Sequence, residues 1–219
     1  MMFLRVDRFL PASANLWMVV EMTPRTSSAS RERNSWLVAG WWKYACPIAE
    51  VNTGGGLGVR FRAADTGLDV DAWAAAVARQ LGGMDLIVAT EPGEYLAKHV
   101  GTLLAEIVTV EDRGNGALFA GVDAGWNIAN EAFVYDIPYT PILCRAADAS
   151  PTHRYTVTGH INEGNDIFAT DASLPELHEG DVLAIPNVGS YNLSMASHHC
   201  LRPPAPVVSF GDRTSAPER

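Results

Sequence analysis

Five short runs of this sequence carry residues whose types and spacing suit chemistry, and they follow one order along the chain. GGGLG, Gly54 to Gly58, follows a strand-like run, and consecutive glycines let backbone N–H groups converge on an anion such as a phosphate. The same pattern serves equally as a tight turn between strand and helix. EPGEY, Glu91 to Tyr95, puts Glu91 at a strand end, where α/β proteins build their sites. A carboxylate there can pair with a protonated ring nitrogen, or it can cap a turn. HINEGND, His160 to Asp166, gathers Asn162, Glu163 and Asp166 in a turn that can hold an ammonium group or simply face water. In GSYNLSMAS, Gly189 to Ser197, Tyr191 offers a hydroxyl to a phosphate or stands as a half-buried strand tyrosine. The fifth run, VDAGWN at Val122 to Asn127, lies between them. His198 and His199 beside Cys200 invite a metal reading, but neighbours on a strand face opposite ways and no metal is expected.

The elements that must position these residues change character along the chain. WLVAGWWKYA reads as a short helix and PIAEVNT as a strand ending at the glycines. DVDAWAAAVARQLGG is the clearest helix, with Asp69 or Asp71 to cap it and Gly82-Gly83 to stop it. DLIVAT then reads as a short, fully buried strand. Strand, glycine loop, helix, strand is the rhythm of a parallel sheet or barrel. After about Val100 five strand-like runs follow without helices: GTLLAEIVTVEDRG, NGALFAGVDAG, HRYTVTGHI, GDVLAIPNVGSYNLSMAS and APVVSF. They suggest an antiparallel β domain or barrel.

The expected organisation is therefore an extension over 1–35, poorly ordered, an α/β segment over 36–100, a β domain over 101–210 and a frayed tail over 211–219. The extension holds the linker-like TPRTSSASRERNS, and Pro11, Ser13 and Asn15 interrupt its apolar residues before any run long enough to span a bilayer. With 47% hydrophobic residues and a formal net charge of −9, the chain reads as globular, with neither nucleic acid nor membrane as partner. Three cysteines without metal spacing, Cys46, Cys144 and Cys200, fit reduced thiols and a cytoplasmic protein.

Taken in order, GGGLG, EPG, VDAGWN, the acidic turn, GDVLAIPNVGSYNLSMAS and CLRP resemble the group-IV, fold-type III decarboxylases that use pyridoxal 5'-phosphate (PLP). These are the ornithine, diaminopimelate and arginine decarboxylases, and diaminopimelate-decarboxylase-like members are the most similar; the resemblance spans about 46 to 210. It implies a partial PLP-binding (β/α) barrel followed by the C-terminal β domain, in a homodimer whose site forms between subunits. It implies that Gly54, Gly55 and Gly56 bind the cofactor phosphate, that Glu91 pairs with the pyridine nitrogen and that Tyr191 approaches PLP from the β domain. Glu163, with Asp166 beside it, would read the distal amino group of an amino-acid substrate.

Three departures from the family pattern bear on catalysis. Glu94 stands where the family's EPGR has arginine, and a carboxylate there repels anions. Asn162 stands at the position of the family's proton-donating cysteine and has no titratable proton, so another group or water would have to act; by the resemblance Glu163 and the Asn162 position are the catalytic candidates. The lysine that holds the cofactor lies well upstream of the glycines in the family, whereas the lysines here are Lys43, too close to Gly54, and Lys98. The expectation is a truncated decarboxylase with PLP non-covalent or absent, pairing with a missing N-terminal half. The other function class is a non-catalytic homologue, a pseudoenzyme or binding module that keeps the fold and dimer surface.

Overall fold

The computed structural model describes residues 2–5, 17–24, 48–62, 64–114 and 116–210, with the backbone alone at 2–5, 17–24 and 48–49. The helix expected over WLVAGWWKYA, the polar run TPRTSSASRERNS apart from Thr23 and Pro24 at its start, Lys43, Cys46 and the tail 211–219 lie outside the described residues. Two units, Met1–Lys98 and His99–Arg219, are described in turn.

In the first unit four strands form one sheet in the order β1 (Met2–Arg5), β2 (Trp17–Pro24), β3 (Ile48–Asn52) and β4 (Ile87–Ala89). β1 and β2 thus fall within the stretch read as an extension. β2 runs antiparallel to both β1 and β3, whereas β3 and β4 are parallel. A parallel pair needs a crossover, and α1 (Val70–Leu81) supplies it. Its start is set by Asp69, whose carboxylate accepts the N–H of Ala72 at 2.8 Å, and Gly82 ends it. Val70, Trp73, Val77 and Leu81 are half-buried along one face of this helix. β4 departs from the fully buried strand expected of DLIVAT: Ile87 and Val88 are 62% and 44% exposed. As the last strand of its sheet among the described residues, β4 pairs with β3 alone. After it come α2 (Gly93–Ala97) and a 3-10 turn at 98–100.

The second unit is a curled six-stranded sheet built from β5 (Thr102–Asp112), β6 (Leu118–Val122), β7 (Ile142–Leu143), β8 (His153–Thr158), β9 (Ile167–Leu174) and β10 (Val182–Pro186), in the order β7-β10-β5-β6-β8-β9. Period-2 alternation sends Ala105, Ile107, Val157, Tyr155, Leu183 and Ile185 into one core, while Leu104 and Val108 stay exposed on the opposite face. The expectation of a purely antiparallel domain is corrected. β6 and β8 are parallel, because the 30 residues between them act as a crossover that carries α3 (Glu131–Tyr135) and β7.

Three further differences have local causes. β9 went unread because Asp171, at φ 55°, breaks its alternation. APVVSF is no strand: Pro203 and Pro204 ahead of it and Pro206 within it remove ladder donors, and Val207, Val208 and Phe210 are exposed. Beyond Pro186 the chain leaves the sheet through positive φ at Asn187 and Ser190 and enters a short helix, α4 (Tyr191–Met195). Tyr191 is therefore a helical residue, 49% exposed, and no strand tyrosine. No helix among the described residues is long and apolar enough to cross a membrane.

Candidate functional site

The expected site residues fall into two groups, one in each unit. In the first unit the loop after β3 is clasped to the loop after β4. The Thr53 N–H donates to the Ala89 carbonyl at 2.9 Å, and the Glu91 N–H donates to the Gly54 carbonyl at 2.7 Å. The Thr90 hydroxyl donates to that same carbonyl at 3.0 Å. The side chain of Asn52 bridges the two loops: its Oδ1 accepts the Gly54 N–H at 2.8 Å and its Nδ2 donates to the Glu91 carboxylate. Gly54 and Gly56 have φ of 71° and 74°, a region that favours glycine. A Cβ on Gly55 would stand 2.4 Å from the Glu91 carbonyl oxygen, so a side chain there would force the loops apart.

This loop pair suits the phosphate and ring-nitrogen ends of a cofactor: glycine backbone beside an exposed, pre-oriented carboxylate. Lys98 is buried, with its amine 3.6 Å from Glu94 and 5.4 Å from the centre of the Phe61 ring. The Glu94 carboxylate is thereby turned toward a cation of its own helical turn.

In the second unit the acidic turn between β8 and β9 separates its residues by role. Asn162 and Glu163 are exposed, and Glu163 Oε1 lies 3.4 Å from Nε2 of His199. Asp166 is 4% exposed, and its carboxylate accepts the Trp126 N–H at 2.7 Å and the Ile161 N–H at 2.6 Å. Asp166, expected beside Glu163 as a substrate-reading acid, thus lies beneath the turn that presents Asn162 and Glu163 and anchors it. Burial holds the Asp166 carboxyl above the ordinary aspartate range, outweighing the two N–H donors that favour its charge. Gly159 makes room for it, since a Cβ there would lie 2.2 Å from Oδ2. Beside it, burial and then the charge of Arg202 hold the His160 imidazole below its usual value.

Tyr191 is positioned by its neighbour. The Asn192 amide accepts from the Tyr139 hydroxyl at 3.0 Å and donates to the buried Glu131 carboxylate at 2.7 Å, which locks α4 to the start of α3. Burial and the Glu131 charge push the Tyr139 hydroxyl far above its usual range. Asn130 Nδ2 donates to the Met195 carbonyl at 2.9 Å, and the Ser197 N–H donates to the Asn127 carbonyl at 2.9 Å. VDAGWN and the residues after it thus grip the GSYNLSMAS segment. The loop before Tyr191 is tied to the start of β5, with the Val188 N–H on the Gly101 carbonyl at 3.1 Å. There the two backbones approach so closely that a Cβ on Gly101 would meet the Gly189 nitrogen at 2.5 Å.

Sequence reasoning missed Asn52, Asn192 and Glu131, and it weighed His199 only as a metal ligand. Asn52 and Asn192 are each close in sequence to a residue that was singled out, a signal that could have marked them. Glu131 had none, because its partners lie far along the chain.

The family model for "Pyridoxal-dependent decarboxylase, C-terminal sheet domain" matches residues 18–189. A diaminopimelate decarboxylase from Methanothermobacter thermautotrophicus is 33% identical over 166 residues, which is 72% of this chain and 38% of that protein. One from Helicobacter pylori is 34% identical over 157 residues, 69% of this chain and 37% of that protein. The crystal structure of the Helicobacter pylori enzyme complexed with L-lysine superposes with a TM-score of 0.66 at 28% identity, covering 77% of this chain and 41% of the other. The chain spans about two fifths of the length of the curated relatives it matches.

Proposed function

The chain belongs to the fold-type III pyridoxal-dependent decarboxylases, of the diaminopimelate type, and from that membership we propose that it carries the phosphate-binding and substrate-reading parts of such an enzyme without the lysine that anchors the cofactor. The observation that carries this reading is the clasp of Asn52 on Glu91 beside the glycine loop. PLP, when bound, supplies the electron sink that lets an amino acid lose CO2.

In this reading Gly54, Gly55 and Gly56 hold the phosphate through backbone N–H groups, and Glu91, oriented by Asn52, keeps the pyridine nitrogen protonated. β3, α1 and β4 are one step of a partial barrel. Tyr191 approaches from the sheet domain on the platform made by Asn192 and Glu131. Glu163 reads the distal amino group of a basic or diamino acid, and Asp166 holds its turn from beneath. Asn162 orients water for the proton that the family's cysteine would give, since an amide has none to release. Glu94, satisfied by Lys98, leaves the phosphate undisturbed. A second copy, or a second polypeptide carrying the lysine, completes the site.

Incubation with PLP, borohydride reduction and peptide mapping tests this. The expected result is saturable PLP binding that Glu91→Ala weakens, with no stable adduct at Lys43 or Lys98. An adduct at either lysine would return covalent chemistry to this chain alone. One observation favours the non-catalytic reading, namely the asparagine at position 162, and absence of any PLP binding would select it.

A further inference from the structure

The Glu163 carboxylate, exposed as it is, already has a partner. The His199 and Glu163 side chains are 38% and 48% exposed and meet at 3.4 Å. His199 is held there by more than charge. Its ring leans on Trp126, with centroids 4.6 Å apart and planes at 45°. Trp126 in turn stacks on Phe133 at 4.9 Å and 15°. The tight turn that begins at His199 holds Cys200 and Leu201 at φ of 54° and 57°, outside helical geometry. A flat ring that can carry positive charge thus rests on an aromatic platform and faces the acid.

We infer that His199 is a specificity-determining residue: its imidazolium occupies Glu163, and the acid accepts only a cation able to displace it. The inference rests on the reading of Glu163 as the acid that receives a substrate amino group. The same segments also carry the ionisable groups Asp166, Arg202, His160, His198 and Cys200. Asp166 accepts two backbone N–H groups, Arg202 donates to the His160 carbonyl at 3.2 Å, and His160 is turned into the domain with its Nε2 buried. His198 and Cys200 flank His199 on its own turn. Histidine is the side chain whose charge changes between about pH 5 and 8. Glu163 is therefore masked in acid and opens toward alkaline pH, where a primary ammonium still keeps its charge. An exposed ion pair of this kind shifts a competing equilibrium by about two- to fivefold.

The test titrates the full chain with 1,5-diaminopentane by calorimetry between about pH 5 and 8, alongside an NMR titration of the His199 ring. The wild type is expected to bind the diamine more weakly in acid. His199→Ala should bind it about two- to fivefold more tightly there, with a flat pH profile. His199→Gln, which keeps a planar group without the charge, should be flat as well. Glu163→Gln should abolish binding. Diamine binding that needs Glu163 but has the same pH profile in His199→Ala overturns the masking and leaves the Glu163 reading standing. Absence of diamine binding in the wild type and in both His199 variants overturns the two together.

Discussion

The Asn52 amide reaches the Glu91 carboxylate across 39 residues of sequence, and in doing so it joins the ends of two parallel strands. The same side chain accepts the N–H of Gly54, so one amide sets both the glycine loop and the acid that faces it.

Replacing Asn52 with Ala removes both bonds. The expected cost is about 1 kcal/mol, with faster amide hydrogen exchange confined to 53–56 and 90–93. PLP affinity should fall as well, since Glu91 loses its orientation. Unchanged exchange in these loops would show that the clasp does not order them.

Gly55→Ala tests the closeness of the two loops. A methyl placed 2.4 Å from a backbone carbonyl cannot be absorbed by a rotamer change. A destabilisation of about 1–3 kcal/mol is expected in denaturant melts. Gly58→Ala is the control, because its Cβ would meet nothing within 4 Å.

Asp166→Asn keeps size and shape but has one acceptor oxygen for two N–H donors. One of them would then face an amide NH2. The expected loss is about 1–3 kcal/mol, and the Trp126 environment should change with it. Near-ultraviolet circular dichroism and thermal melts check both.

Asn192→Leu withdraws the donor from Glu131 and the acceptor from Tyr139 in one step. A loss of about 1–3 kcal/mol is expected, together with looser packing of α4. Tyr191→Phe, on the exposed side of the same helix, should leave stability within about 0.5 kcal/mol.

Acid should weaken the second unit through Asp181. Hydrogen bonding from Arg145, more than any other cause, holds the Asp181 carboxyl below the usual carboxylate range and holds the guanidinium above its own. A depressed folded-state value contributes stability that is complete above about pH 4 and is lost as pH falls through the lower value. Thermal melts of wild type and Asp181→Asn should therefore differ at neutral pH and converge in acid. A gap that persists in strong acid would assign the effect to the hydrogen bonds from the Arg145 side chain and the His178 N–H alone.

Much of this arrangement can be read locally. Asp69 and Gly82 mark the ends of α1, and alternation in TLLAEIV marks β5. The order of the short motifs points to the family. What could not be read depends on partners distant in the chain. Nothing near Asp166 tells that its carboxylate accepts the N–H groups of Trp126 and Ile161. Nothing in YNLSM says that positive φ at Asn187 and Ser190 will end a strand pattern and begin a helix. The parallel pairing of β6 with β8 depends on a crossover whose length is visible and whose path is not. DLIVAT shows the limit in reverse: its composition is that of a buried strand, and its position at the end of the sheet leaves it half uncovered.

The approach of Gly101 to Gly189 has a consequence for how this sequence can drift. Gly101 opens β5, and Gly189 lies two residues before Tyr191. A methyl on Gly101 would displace the loop and carry the tyrosine with it. The tyrosine's address is thus written partly 88 residues upstream of the loop. A descendant that kept YNLSMAS letter for letter but lost Gly101 would hold the right residue in the wrong place.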